Sequence, residues 1–159
     1  MIRNIESPTE RSQIAREILE QLPDWFGIPE SREEYARACA SLPVWAEMED
    51  GRCLGFIAMK QTSPCAAEIH VMGVKPSSHR RGIGRALFQA MEREARAMGL
   101  KYLHVKTVRE GMYESYDRTN RFYRSLGFEE LECLPELWDR ANPCQIYIKT
   151  IEGRREKTA

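Results

Sequence analysis

The segment Ser77-Ser78-His79-Arg80-Arg81-Gly82-Ile83-Gly84-Arg85 gathers arginines and glycines at the start of an amphipathic run. Gly82 and Gly84 carry no Cβ to hold a pyrophosphate off the backbone. Arg80, Arg81 and Arg85 supply charge for its oxygens. A helix that opens here adds unpaired first-turn N–H groups and the positive end of its macrodipole, which bind anions without special side chains. The chemistry expected of these residues is phosphate binding; the plain alternative is a tight turn at Gly82 and Gly84 with solvated arginines. A Walker loop is excluded, because no Gly-Lys-Ser/Thr closes the segment. A dinucleotide fingerprint fits no better: Leu87 stands where a third small residue belongs, and the strand about 20 positions on reads Tyr102-Leu103-His104, without an acid.

The elements that must position this turn follow from periodicity. Ser7-Pro8-Thr9-Glu10 is a capping box with Pro at the first helical position, and Ile14, Ile18, Leu19 and Leu22 share one face after it. Ser31-Arg32-Glu33-Glu34 is read as a second capping box, opening a helix with Tyr35, Ala38, Cys39 and Leu42 inward. Val44–Met48 and Cys53–Met59 flank an Asp50-Gly51 pair, a hairpin signal, and Glu68–Val74 is a third strand. Gly82–Met98 is the clearest helix, with Ile83, Ala86, Leu87, Ala90, Met91 and Met98 on one face and Gly99 as its C-cap. Tyr102–Thr107 alternates as a strand. Ser115–Leu126 is a helix with Tyr116, Thr119, Tyr123 and Leu126 near one face and Gly127 as its stop. Phe128–Cys133 and Gln145–Ile151 close the chain as strands, with 136–143 between them as a long connection. The order is a strand, two helices, three strands, a helix, a strand, a helix and two strands: a mixed α/β sheet.

Composition narrows the function. The chain has 159 residues, which predicts one domain over 1–152 followed by a flexible tail over 153–159. Its 24 basic and 24 acidic residues cancel, which argues against a nucleic-acid coat or a membrane-surface protein. Its longest apolar runs fall far short of the about 20 residues that span a bilayer, and no signal-peptide segment opens the chain. Five cysteines at irregular spacing form no C-x-x-C pair and no metal pattern with His70, His79 and His104. Reduced structural thiols in a cytoplasmic, metal-free protein are expected.

Val74-x-Pro76-x-x-His79-Arg80-Arg81-Gly82-Ile83-Gly84-Arg85-Ala86-Leu87 resembles the acetyl-CoA signature of the GCN5-related N-acetyltransferases, Gln/Arg-x-x-Gly-x-Gly/Ala. Tyr116–Phe128 is similar to that family's fourth helix and following strand, and the element order matches over nearly the whole chain. The resemblance implies a mixed, mostly antiparallel, twisted sheet of about six to seven strands flanked by about four helices. It also implies acetyl-CoA as co-substrate, lying along the fourth strand where the sheet splays. His79 departs from the pattern, and its charge would vary near neutral pH. Cofactor contacts are implied for Met72, Gly73, Val74, His79, Arg80, Arg81, Gly82, Ile83, Gly84, Arg85, Tyr116 and Tyr123, with a backbone N–H near Met72–Val74 as the oxyanion donor.

Acetyl transfer to an amine also needs a proton acceptor and is helped by an acid for the leaving thiolate. The resemblance points to Tyr123 as that acid, a phenol of pKa about 10; the other reading packs its ring in the core. Glu68, 14 residues before Gly82, matches the position of the catalytic glutamate of histone-type members. His70 on the same strand face and ordered water are its rivals, and a solvated Glu68 is the plain alternative. Trp25 and Phe26, and the 136–143 segment with Trp138, Glu136 and Asp139, either wall an acceptor pocket or anchor loops; Tyr113 and Glu114 are weaker candidates. The expected function is an acetyl-CoA-dependent N-acetyltransferase acting on a primary amine, small or peptidic, by direct attack in a ternary complex. Cys65, Cys133 and Cys144 show no His partner for a covalent route. The alternative is a non-catalytic acyl-CoA sensor or scaffold. No nucleic-acid or membrane partner is expected, and a homodimer is compatible with the resemblance.

Overall fold

Local chemistry sets the first elements. In the computed structural model, which describes residues 1–151, Ser7 Oγ accepts the Glu10 N–H at 3.2 Å and caps a helix over Pro8–Glu20 (α1). It follows a short strand, Ile2–Asn4 (β1), and precedes the helix Pro29–Cys39 (α2). The expected capping box at Ser31 does not form: α2 starts two residues earlier, on Pro29, with no side-chain cap at Ile28. Pro29 at the first helical position has the preorganised φ and lacks the N–H that would need a partner. Asp50 and Gly51 take φ of 50° and 75°, the two left-handed residues of a tight hairpin turn joining Val44–Glu49 (β2) to Arg52–Ser63 (β3). Ala66–Val74 (β4), Ile83–Ala97 (α3), Tyr102–Val108 (β5), Glu114–Ser125 (α4), Glu129–Asp139 (β6) and Asn142–Thr150 (β7) complete the chain.

The strands form a seven-stranded mixed sheet in the order β1-β2-β3-β4-β5-β7-β6, with β4 and β5 parallel and β1–β2, β2–β3, β5–β7 and β6–β7 antiparallel. Fold class and element order are those expected. The tail expected over 153–159 lies outside the described residues. Several boundaries differ: β3 runs four residues past Met59 to Ser63, and β4 starts two residues earlier, at Ala66. α3 ends at Ala97, so Met98 falls past the helix and is exposed rather than on the buried face. The expected connection over 136–143 is the tip of a hairpin, because β6 runs to Asp139 and pairs it with Asn142. Pro135 stands on the edge strand in the stretch between Leu134 and Asp139 where the β6–β7 register shifts, the kind of position at which a strand tolerates proline.

Contacts gather the chain into two units. In the first, residues 1–60 and 69–94, Ile14, Ile18 and Leu19 of α1 and Leu22 just beyond it pack with Ala36, Cys39, Val44, Phe56 and Val71. Burying such side chains stabilises by about 1.5–3 kcal/mol each. Arg16 joins α1 to α2 by a two-pronged pair with Glu33, at 2.9 and 2.8 Å. In the second unit, residues 61–68 and 95 onward, β5 pairs with β7 from Tyr102–Thr150 to Val108–Cys144, whereas its parallel pairing with β4 covers Ala66–Tyr102 to Glu68–His104. Leu103, Val105 and Thr107 are buried on one face of β5; Tyr102, His104 and Lys106 stand on the other.

Candidate active site

The arginine–glycine segment is a turn between β4 and α3. After one 3₁₀ turn over Pro76–Ser78, Arg80 takes φ 64° and Gly82 φ 76°, with Arg81 between them outside the left-handed region. This alternation curls successive N–H groups toward one side, the arrangement of anion-binding concavities. A Cβ on Gly82 would meet nothing within 4 Å, so the space above the turn is open. Ala86 N donates to Gly82 O at 3.0 Å and starts the helical ladder. The preceding N–H groups belong to the helix's unpaired first turn. Ile83 is buried, Gly84 half-buried and Arg85 exposed.

The side chains of the turn are partly engaged elsewhere. His79 Nε2 lies 2.7 Å from the Val74 carbonyl, and the ring meets Trp25 edge-on at 6.3 Å. Arg81 pairs with Glu49 at 2.9 Å. Lys75 N donates to Leu54 O at 2.8 Å, which fixes the end of β4. Gly73 is needed for packing: a Cβ there would stand 2.7 Å from Leu22 Cδ1 and 3.1 Å from Ile18 Cγ2. Met72 and Val74 flank it, both half-buried.

In the second unit, Tyr123 is 6% exposed on α4. Its ring sits 5.6 Å from Phe122, 5.8 Å from Phe128 and 6.1 Å from Tyr147. Tyr116, two turns earlier on the same side of α4, is half-buried against Tyr113 at 6.0 Å. Between them lies a residue that sequence reasoning passed over. Asn120 is fully buried; its amide donates to Val108 O at 2.9 Å and Tyr116 O at 2.7 Å, and its Oδ1 accepts from Tyr147 OH at 2.6 Å. Arg124 donates to Tyr147 OH at 3.2 Å while gripping Glu110 at 3.0 and 3.1 Å. Burial pushes the Tyr147 phenol up, against the pull of Arg124. The signal in the sequence was an amide on the inward face of an amphipathic helix, one turn before Tyr123.

Glu68 is not a solvated carboxylate. Its side chain is 12% exposed, and Oε2 takes Lys106 Nζ at 2.6 Å and faces His104 Nδ1 at 3.5 Å. His104 Nε2 lies 2.8 Å from Thr62 Oγ1. Burial lowers the His104 pKa, opposed by Glu68 and reinforced by Lys106. His70, the expected rival, meets the Tyr35 ring edge-on at 5.5 Å.

The acceptor-pocket candidates divide. Trp25 and Phe26 are half-buried against the core of the first unit, with Phe26 5.8 Å from Tyr35. Trp138 and Leu137 are exposed on the β6–β7 hairpin, where Asn142 N donates to Asp139 Oδ1 at 3.0 Å and Glu136 approaches Arg140 at 3.7 Å. Tyr113 and Glu114 start α4, both exposed. Burial raises the Cys144 thiol and pushes Cys53 up to about 11, so neither presents a thiolate near neutral pH. Among the described residues no three His, Cys, Asp or Glu side chains converge as metal ligands, and no helix is long and apolar enough to cross a membrane.

A mixed sheet, a helix N-terminus behind a left-handed glycine turn and an aromatic helix after β5 define an acyl-group-transfer fold. The chain belongs to the GNAT acetyltransferases: residues 40–130 match the acetyltransferase (GNAT) domain. It is 31% identical over 106 residues to the peptidyl-lysine N-acetyltransferase YiaC of Escherichia coli K12, covering 67% of this chain and 61% of that protein. It is 29% identical over 157 residues to the amino-acid acetyltransferase of Pseudomonas paraeruginosa, covering 95% of this chain and 30% of that one. The chain thus spans less than two thirds of either relative. Among solved structures, an aminoglycoside 6'-N-acetyltransferase complexed with coenzyme A shares the fold at TM-score 0.78, with 19% identity over 98% of this chain and 99% of that one.

Proposed function

We propose that this acetyltransferase is an N-acetyltransferase that uses acetyl-CoA and acetylates a primary amine by direct attack in a ternary complex. The observation that carries the proposal is the turn: Arg80 and Gly82 left-handed, open space where a Cβ would stand, and α3 beginning directly after. Its backbone N–H groups would hold the pyrophosphate, with Arg80 and Arg85 adding charge from the surface. Bound there, acetyl-CoA supplies the acetyl group as a thioester. The relatives' names, N-acetyltransferases of lysine side chains and of amino acids, and the coenzyme A complex of the aminoglycoside enzyme support the same chemistry. Five free cysteines suit a reducing cytoplasm.

The amine loses a proton, its nitrogen attacks the thioester carbonyl, the C–N bond forms and the C–S bond breaks. The Tyr123 hydroxyl returns a proton to the leaving sulfur. A backbone N–H of Met72–Val74 holds the developing oxyanion. Glu68, with its ionisable neighbours His104 and Lys106, serves the first proton loss.

The test is thermal melting with excess acetyl-CoA beside NAD and ATP. Turnover is then read by free-thiol release on a lysine-bearing peptide, a peptide with a free α-amine, glutamate and an aminoglycoside. At about 100 times Kd, a native-state ligand adds about 2.7 kcal/mol and raises Tm by about 5–10 °C at this size. A shift confined to acetyl-CoA with thiol release on one amine is expected, and Tyr123→Phe should keep the shift while lowering kcat by about 10-fold or more. No shift with acetyl-CoA would overturn the assignment of the turn. A shift without thiol release on any amine would leave a binding module in place of an enzyme.

A further inference from the structure

His79 differs from the arginines of the turn, because its side chain is bonded to the backbone of β4. A carbonyl only accepts, so the 2.7 Å contact between His79 Nε2 and Val74 O places a hydrogen on Nε2, in the neutral ring and in the cation alike. The alternation along β4 shows which edge that carbonyl occupies. Lys75 N donates to Leu54 O of β3, and Gly73 O stands 2.9 Å from where a Cβ of Gly55, also on β3, would lie. Val74, between them, directs its carbonyl to the opposite edge. The ladder of β4 with β5 has ended before that point, at Glu68–His104, and a strand carbonyl past the end of its ladder takes a partner elsewhere. The His79 ring is that partner.

The bond closes the 74–79 loop around the 3₁₀ turn Pro76–Ser78. Of the two bonds that hold residue 79, the side chain's is the shorter, since its backbone N–H meets Pro76 O at 3.3 Å. Arg80 follows at φ 64° and Gly82 at φ 76°, and the helical ladder then starts with Ala86 N on Gly82 O. His79 is thus the point from which the two left-handed residues are set relative to β4. The ring is held on a second side. Trp25, on the connection between α1 and α2, meets it at 6.3 Å with 80° between the planes, an edge-on geometry in which aromatic rings attract. Trp25 is itself placed by its N–H on Leu22 O at 3.2 Å. One imidazole therefore braces the turn against both β4 and the α1–α2 connection.

We propose that His79 is a positioning residue for acetyl-CoA: its Nε2–H, bonded to the Val74 carbonyl and steadied by Trp25, sets the backbone N–H groups of the Arg80–Gly84 turn for the pyrophosphate before the ligand arrives. This rests on the acetyl-CoA reading of the turn. A brace of this kind raises affinity without adding a contact to the ligand, because the turn is ordered during folding and not at binding. It acts on the pyrophosphate end alone, so the reaction at the thioester is left as it is.

The test compares wild type with His79→Ala, His79→Asn and His79→Gln by isothermal titration with CoA, which carries the same pyrophosphate, and by melting of each ligand-free protein. The glutamine amide nitrogen stands as many bonds from Cα as the imidazole Nε2 and can donate to Val74 O; the asparagine amide is one carbon short. Alanine and asparagine should raise the Kd of CoA by about 5-fold, in the range of one lost hydrogen bond, and glutamine should stay within about 2-fold of wild type. KM for acetyl-CoA should follow the Kd while kcat, on whichever of the four amines above is acetylated fastest, stays unchanged. In ligand-free wild type, ¹⁵N NMR should find the neutral His79 ring protonated on Nε2. A ring protonated on Nδ1 overturns the brace, and that measurement needs no variant to fold. An unchanged Kd in the alanine and asparagine variants, with a lowered Tm, means that the bond serves stability alone and overturns the proposal, as does a glutamine variant as weak as alanine. A Kd that falls in His79→Ala means that the ring competes with the ligand for the Val74 carbonyl, and overturns it too. A wild type that binds no CoA overturns the reading of the turn itself, and the brace with it.

Discussion

The turn over 79–85 and the helix α4 against β7 solve the placement of polar groups in opposite ways. The turn is made of backbone. Two left-handed residues shape it, space above Gly82 is open, and most of its side chains lie at the surface. The α4–β7 region is made of side chains. Asn120 is sealed from water and satisfied on both faces of its amide, Tyr147 is likewise buried, and Arg124 closes the network at the surface with Glu110. A backbone site tolerates side-chain change and fails when φ is forbidden. A buried side-chain network fails as soon as one member loses its partner. Ligand binding and stability should therefore separate between the two regions.

Asn120→Ala is the strongest way to break that contrast. It removes the donor to two carbonyls and the acceptor of the Tyr147 hydroxyl. Leaving buried polar groups unsatisfied costs about 1–3 kcal/mol each, so a total of about 3 kcal/mol and a Tm fall of about 6–12 °C are expected. Urea unfolding monitored by circular dichroism checks it. A loss below about 1 kcal/mol would mean that water replaces the amide, and that α4 is held by its apolar face alone. Tyr147→Phe should cost less, about 1–2 kcal/mol, because only the Asn120 Oδ1 loses a buried partner and Arg124 keeps Glu110. A double-mutant cycle of the two substitutions should be strongly non-additive, since the second change removes a group the first has already orphaned.

What the sequence made legible was local. The Ser7 cap, the Asp50-Gly51 hairpin and the glycine turn each depend on a few consecutive residues and their permitted φ. Where two local rules competed, the cue followed was the wrong one: Ser31 offered a cap, but Pro29 two residues earlier already satisfied the requirements of a helix start. Both closing strands are legible, but not their extension to the hairpin tip: prolines, Trp138 and mixed polarity over 135–143 have the composition of a loop, while strand pairing is decided by the partner strand. The Asn120 network and the Thr62–His104–Glu68–Lys106 chain were out of reach for the same reason. Each joins residues separated by tens of positions, and no periodicity marks an asparagine on an apolar helix face, or a threonine near a strand end, as a partner of one particular tyrosine or histidine.

Gly82→Ala tests the other half of the comparison. Since a Cβ would touch nothing, steric crowding contributes nothing and the left-handed φ of 76° alone sets the cost. That is about 1–2 kcal/mol for an L-residue, smaller than for Asn120→Ala. The acetyl-CoA Tm shift, in contrast, should nearly vanish, because relaxing the turn redirects the N–H groups that would face the pyrophosphate. Melting curves with and without acetyl-CoA read both effects at once. A retained shift would show that the arginines and not the backbone hold the phosphates.

Arg80→Gly should have the smallest effect, and for that reason it is the sharpest test of a backbone-built turn. Arg80 holds φ 64°, which costs a residue with a Cβ about 1 kcal/mol or more. Glycine removes that strain but gains freedom in the unfolded chain, worth about 0.4–1 kcal/mol in the other direction. The two nearly cancel, so Tm should move by less than about 2 °C. Acetyl-CoA affinity should weaken modestly at low ionic strength and converge on wild type at about 0.5 M salt, where an exposed charge is screened beyond a few ångströms. A large fall in Tm would mean that the Arg80 side chain ties the turn together after all. A salt-independent loss of affinity would mean that it holds the phosphate at close quarters, and the division between a backbone site and a side-chain network would then no longer separate the two regions.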